Sequence, residues 1–108
     1  MLHVKRFEYR GERCLWVEFS DGRSGELEWC DANTGPMTEP LRDPAFFGRA
    51  RLNVALGVIE WPNGFDVAPE YLYFLAFRHD PALAATFQRW GYLECGGEAG
   101  SGIAAENP

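Results

Sequence analysis

The chain reads as an α+β domain: a small, mainly antiparallel sheet of about five strands, followed by two C-terminal helices. Three observations predict this. Apolar and polar side chains alternate within the first thirty residues, the period of a strand with one buried face. Gly, Pro, Asn and Asp recur between the apolar runs as far as Gly64, marking hairpins and loops. After Pro69 the spacing becomes helical, and strands followed by helices is the α+β order. At 108 residues the chain fits one domain, since a single core typically serves ~100–150 residues.

Residues 3–9 hold enough Val and aromatic character for a first strand, and Gly11-Glu12 connects it to its partner. In that partner Leu15, Val17 and Phe19 alternate with Cys14, Trp16 and Glu18. Asp21-Gly22, between Ser20 and Arg23, is a strong hairpin signal. Residues 25–29 follow as a third strand, with Leu27 and Trp29 on one side and Glu26 and Glu28 on the other. Residues 31–40 read as a loop broken by Asn33, Gly35, Pro36 and Pro40. Asp43-Pro44-Ala45-Phe46-Phe47 reads as a short helix. Asp43 accepts from the free amides of its first turn, and Pro44 suits the first helical position, where no donor is needed.

Gly48 stops that helix, and residues 50–56 and 58–61 form two more strands parted by Gly57. Pro62-Asn63-Gly64 is a turn. Pro69 opens a helix to about residue 78, with Leu72, Leu75 and Ala76 on one stripe. Asp80-Pro81 repeats the Asp-Pro start and opens a second helix to about Trp90, whose Leu83, Phe87 and Trp90 share a buried face. Gly91 is a C-terminal stop. Residues 96–108 are mostly Gly, Ala, Ser and Glu with only Ile103 to bury, so a flexible tail is expected.

Composition excludes several classes of function. Ten basic against sixteen acidic residues leave a net charge of −6. A phosphate-backbone binder needs surplus Lys and Arg to release counterions, so no direct nucleic-acid binding is expected. No apolar run approaches the ~18 residues of a membrane span. The start, Met1-Leu2-His3-Val4-Lys5-Arg6, lacks the apolar stretch of a secretory signal, so a cytoplasmic location is expected. Cys14, Cys30 and Cys95 are far apart and form no CxxC pair, and His3 and His79 are distant. That is the pattern of three reduced thiols rather than of a zinc site. With no phosphate-cradling Gly-rich loop either, no cofactor is expected.

Landmarks in a particular order narrow the reading. Phe19-Ser20-Asp21-Gly22 is followed by Gly35-Pro36 and by Pro40-Leu41-Arg42-Asp43-Pro44-Ala45-Phe46-Phe47. Gly57-Val58-Ile59-Glu60-Trp61-Pro62-Asn63-Gly64-Phe65-Asp66-Val67-Ala68-Pro69-Glu70 completes the set. Through these motifs residues 19–71 resemble a bacterial family of small proteins known as domain of unknown function 2442. The upstream hairpin fits more loosely, and residues 78–108 lie beyond the usual family domain. The resemblance implies a compact α+β domain without an established enzymatic activity. Many members of that family are encoded beside a small protein of another one, domain of unknown function 4160, which implies a toxin–antitoxin type of pair. Some relatives add a C-terminal helix-turn-helix that could bind DNA. Here one good helix follows Arg78, too little for such a core, and DNA binding is not carried over. The expected organisation is a family-like domain over 1–78, an additional helix over 79–95 packing on it, and the tail over 96–108.

Three groups of residues are candidates for function. The first is the landmark set Asp21, Gly22, Arg42, Asp43, Pro44, Trp61, Pro62, Asn63, Gly64 and Asp66, read as structural. Trp61 packs in the core, Pro62-Asn63-Gly64 turns the chain, and Asp66 caps that turn or the helix opened by Pro69. Asp43 satisfies the amides of its helix start and repels a visiting anion there, while Arg42 pairs with a carboxylate. The second group is Glu60, Asp66 and Glu70, which could serve as acid and base or hold a divalent cation. No tuned His, Lys or Arg partner stands near them in sequence.

The third group is aromatic. Residues 61–92 hold nine of the sixteen aromatic side chains. One helix cannot turn Tyr71, Tyr73, Phe74 and Phe77 toward a single sheet. With Trp90 they form a candidate partner surface, since aromatics concentrate at interface centres. The other reading has the second helix cover them within the monomer. The function expected is that of a protein-binding module, the antitoxin-like half of a two-gene system. Its partner is another small protein encoded beside it, or a second copy in a homodimer. The alternative is a carboxylate-based or metal-dependent enzyme using Glu60, Asp66 and Glu70.

Overall fold

In a computed structural model, residues 1–30 and 35–92 are described. The alternating N-terminal half forms an antiparallel meander: β1 (Val4–Tyr9), β2 (Cys14–Phe19) and β3 (Ser24–Glu28), in that spatial order. Its register puts Leu15 opposite Leu27 and Val17 opposite Phe7. The expected period therefore becomes an inner face on which Leu15, Val17, Phe19 and Leu27 are buried. At the second turn the Phe19 amide donates to the Arg23 carbonyl and the Asp21 carboxylate accepts from the Arg23 amide. Gly22 takes the left-handed φ of 92° that this turn needs.

A 3₁₀ turn (Glu39–Arg42) and helix α1 (Pro44–Phe47) then lead to a second antiparallel sheet. It contains β4 (Arg51–Asn53), β5 (Val58–Glu60) and β6 (Asp66–Val67). Helix α2 (Pro69–Phe77) follows, then a 3₁₀ turn (Pro81–Leu83) that runs into helix α3 (Ala84–Trp90). The α+β class holds, but the single five-stranded sheet does not: among the described residues six strands divide into two sheets of three. The sixth, β6, is two residues long and leaves no periodicity to read. Residues 54–56, expected in a strand, lie instead in the β4–β5 connection, because Asn53 ends the strand. Its side chain accepts from the Leu56 amide and its carbonyl from the Gly57 amide. The expected second C-terminal helix begins as the 3₁₀ turn, and the Asp80 carboxylate accepts from the Ala82 amide at its start.

One core joins both sheets and the helices. Leu15, Val17, Phe19, Leu41, Phe47, Ile59 and Leu72 are wholly buried, as is Trp61. Each such side chain contributes roughly 1.5–3 kcal/mol when removed from water. Trp61 also satisfies its polar end: the indole N–H donates to the Phe47 carbonyl at 3.0 Å. Helix α2 is apolar nearly all round, which fits an element covered on more than one side. It lies over β3 and β2 on one flank and meets α3 on another. Cys14 is a free thiol, whereas Cys30 is disulfide-bonded, so three reduced thiols do not hold. Cys95, and with it the tail expected over 96–108, lies outside the described residues. Among the described residues no helix is long and apolar enough to cross a membrane.

Candidate functional site

The late aromatics are packed. Tyr71, Tyr73 and Phe74 are buried and Phe77 is half-buried. Phe87 from α3 stands edge-on to Phe74 with ring centroids 5.2 Å apart, and Trp90 meets Tyr73 at 6.1 Å. Tyr73 in turn contacts Phe19 of β2 at 5.0 Å. The surface expected of Tyr71, Tyr73, Phe74 and Phe77 is thus largely closed by α3 and by the first sheet. Trp90 keeps 39 % of its surface exposed. Tyr73 bonds outward as well, donating to the Asp21 carboxylate at 2.7 Å and so pinning the β2–β3 turn to α2. Burial first, then the bond to Asp21 and its charge, push the Tyr73 phenol up to about 12.

Most landmark residues are occupied by the fold. The Asn63 side chain donates to the Met37 carbonyl and accepts from the Phe65 amide, holding the turn against the loop before α1. Gly64 carries the left-handed φ of 91° that closes it. Asp43 accepts from the Ala45 amide with Pro44 at the helix start, and Arg42 lies 3.9 Å from Glu39. Asp66 is the exception. The N-cap of α2 is Ala68, with no side-chain cap, and the Asp66 carboxylate makes no hydrogen bond or ion pair among the described residues. It is exposed.

The three carboxylates do not assemble into a reaction centre. Glu60 and Asp66 face each other across β5 and β6, but Glu60 is engaged by Arg51 at 3.0 Å and by Asn53 at 3.2 Å. Among the described residues no group of three His, Cys, Asp or Glu side chains is arranged to hold a metal. The Cys14 thiol is pushed up by burial and by Glu28, Glu26 and Glu12, which disfavours the thiolate that nucleophilic chemistry needs.

Two exposed features have no counterpart among the sequence candidates. On the outer face of the first sheet, the Arg6 and Arg10 guanidinium groups lie 5.4 and 5.9 Å from the Trp16 ring, and Arg6 also pairs with Glu18 at 2.7 Å. That face is satisfied by its own cation–π and ionic contacts. The β4–β5 connection is different: Val54 is 83 % exposed and Leu56 61 %. Val54, together with Leu52, His3, Lys5 and Ala55, borders a groove of about 410 Å³. The sequence places residues 50–56 in a strand, and only the turn chemistry of Asn53 and Gly57 marks 54–56 as a connection.

No curated protein and no solved structure matches this chain. A family model does match residues 4–78, more than half of the sequence, and covers both sheets and α2. It includes the looser N-terminal hairpin as well as the landmark segments, and stops before α3 begins. The chain therefore belongs to the family described as protein of unknown function (DUF2442).

Proposed function

We propose that this protein is a protein-docking module whose contact is centred on the β4–β5 tip. The observation that carries the reading is the pair Val54 and Leu56, extended into water by a turn that is itself well bonded. Large apolar groups on a rigid tip contribute nothing to the core and gain roughly 1.5–3 kcal/mol each when a partner covers them. The adjoining groove offers a shallow seat beside them. A net charge of −6 favours a partner with a basic surface, through steering that weakens as salt rises. The gene-pair arrangement implied by the family resemblance supplies the biological form of this reading: the neutralising half of a two-protein system.

The test compares tagged full-length protein with the double variant Val54→Asp, Leu56→Asp. Both are used for affinity capture from cells that express the natural protein, and light scattering measures the mass of each. A stoichiometric small companion, or a homodimer, that is present with the natural chain and lost in the variant is the expected result. A monomer that captures nothing at low and moderate salt overturns the docking proposal. A companion held equally by the variant removes the tip from it.

A further inference from the structure

A second concave site opens beside the first turn of α2. Trp29, Phe65, Tyr71 and Tyr92 contribute four rings to a cavity of about 290 Å³, with Asp66 and Thr38 as its polar neighbours. Trp29 is the floor: Tyr71 and Phe65 stand nearly perpendicular to it, at 83° and 84°, with centroids 5.5 and 6.4 Å away. Tyr92 meets Tyr71 at 5.5 Å with a tilt of 59°. The rings therefore face several directions instead of stacking flat. Phe65 and Tyr92 are half-buried and Asp66 is exposed, which sets them toward solvent from the buried Trp29 and Tyr71.

The chemistry of the lining is one-sided. Among the described residues no Lys, Arg or His borders the cavity, and its charged member is Asp66, whose carboxylate makes no hydrogen bond or ion pair with any of them. Burial first, and then the Glu70 charge, raise the Tyr92 phenol above its usual range. An anion would thus meet a carboxylate and several aromatic rings. A cation wrapped in methyl groups meets complementary surfaces: ring faces attract it within about 6 Å of their centroids, Trp most strongly. Its methyl shell needs no hydrogen-bond acceptors. The volume lies at the small end of the ~300–1,000 Å³ typical of ligand pockets, which suits a compact head group.

We propose that this pocket binds an alkylated ammonium group, with the rings of Trp29, Phe65, Tyr71 and Tyr92 around the methyl shell and Asp66 as counter-charge. The group has two sources, a free small molecule of the choline type or a methylated lysine side chain. The pocket shares no lining residue with the β4–β5 groove, so this proposal and the docking proposal succeed or fail separately.

The experiment titrates full-length protein with choline, with capped trimethyllysine, and with neohexyl alcohol, in which carbon replaces the charged nitrogen. Shifts of the Trp29 and Tyr92 NMR signals report occupancy. Choline or trimethyllysine is expected to saturate the shifts, and the tighter of the two identifies the source. The alcohol is expected to bind about tenfold more weakly, because it lacks the cation–π and charge terms. Asp66→Asn should weaken choline roughly fivefold, the range of a partly exposed charge pair. Glu26→Gln, the same charge change on the first sheet, should leave the affinity in place. No saturable shift with either cation overturns the proposal, as does an alcohol that binds equally well. Unchanged binding by Asp66→Asn, or equal weakening by Glu26→Gln, removes the carboxylate from the site.

Discussion

Tyr73 shows how one side chain can belong to both core and surface. Its ring is buried among Phe19, Phe77 and Phe87, while its hydroxyl reaches the Asp21 carboxylate on the β2–β3 turn. An unfolded tyrosine loses its proton near pH 10, whereas folded Tyr73 retains it to about 12. Above the lower value the unfolded chain sheds a proton that the folded chain keeps. Tyr73 thus contributes fully to stability below about pH 10 and loses that contribution as the pH rises toward 12. Tyr73→Phe is expected to lower the urea midpoint at neutral pH, because the Asp21 bond goes. It should also flatten the alkaline fall in stability. An unchanged alkaline slope would assign that fall to other groups. The bond was not legible beforehand: Asp21 reads as a hairpin residue, and nothing in sequence joins it to a position fifty-two residues on.

At the scale of elements, the two sheets share one core and also meet backbone to backbone. The Val4 amide of β1 donates to the Gly57 carbonyl at 2.9 Å, beside the β4–β5 tip. Gly57 has a φ of +68°, and a Cβ there would lie 2.7 Å from the His3 Cβ. Both the backbone angle and the close approach of β1 demand glycine. Gly57→Ala is expected to destabilise the fold by about 1–3 kcal/mol, from left-handed strain and the forced retreat of His3. Thermal melting checks this, and a loss below half that range would show that β1 moves away at little cost. Gly57 itself was readable as a break between two apolar runs. Its second role was not, because its neighbour His3 leads into β1 of the other sheet.

At the scale of the whole molecule, local signals are legible in the sequence and long-range ones are not. The alternation in β2, the Asp-Gly turn and the Asp-Pro helix starts each act within a few residues, and each appears in the structure. The division into two sheets depends on which strands pair across long loops, and β6 is too short to announce itself. Exposure followed the same rule. Aromatic density leaves open whether a partner or the second helix covers those rings, and α3 packs on them, while Val54 and Leu56, expected in a strand, lie in the β4–β5 connection and stand in water. The double change Val54→Asp, Leu56→Asp should therefore alter unfolding free energy by no more than about 0.5 kcal/mol, as for surface sites without partners. A larger loss in chemical denaturation would make the tip part of the core after all.

The covering of α2 by α3 has one more consequence. The family match ends at residue 78, yet Phe87 and Trp90, which lie on the α2 rings, come from beyond it. Helix α3 follows α2 across a short connection, residues 78–83. A tether that short holds a segment at an effective concentration of roughly millimolar or more. Any helix arriving from outside competes for that face against an occupant that cannot diffuse away. The tether multiplies the intrinsic affinity of the rings by that effective concentration, and an outsider must exceed the product to displace it.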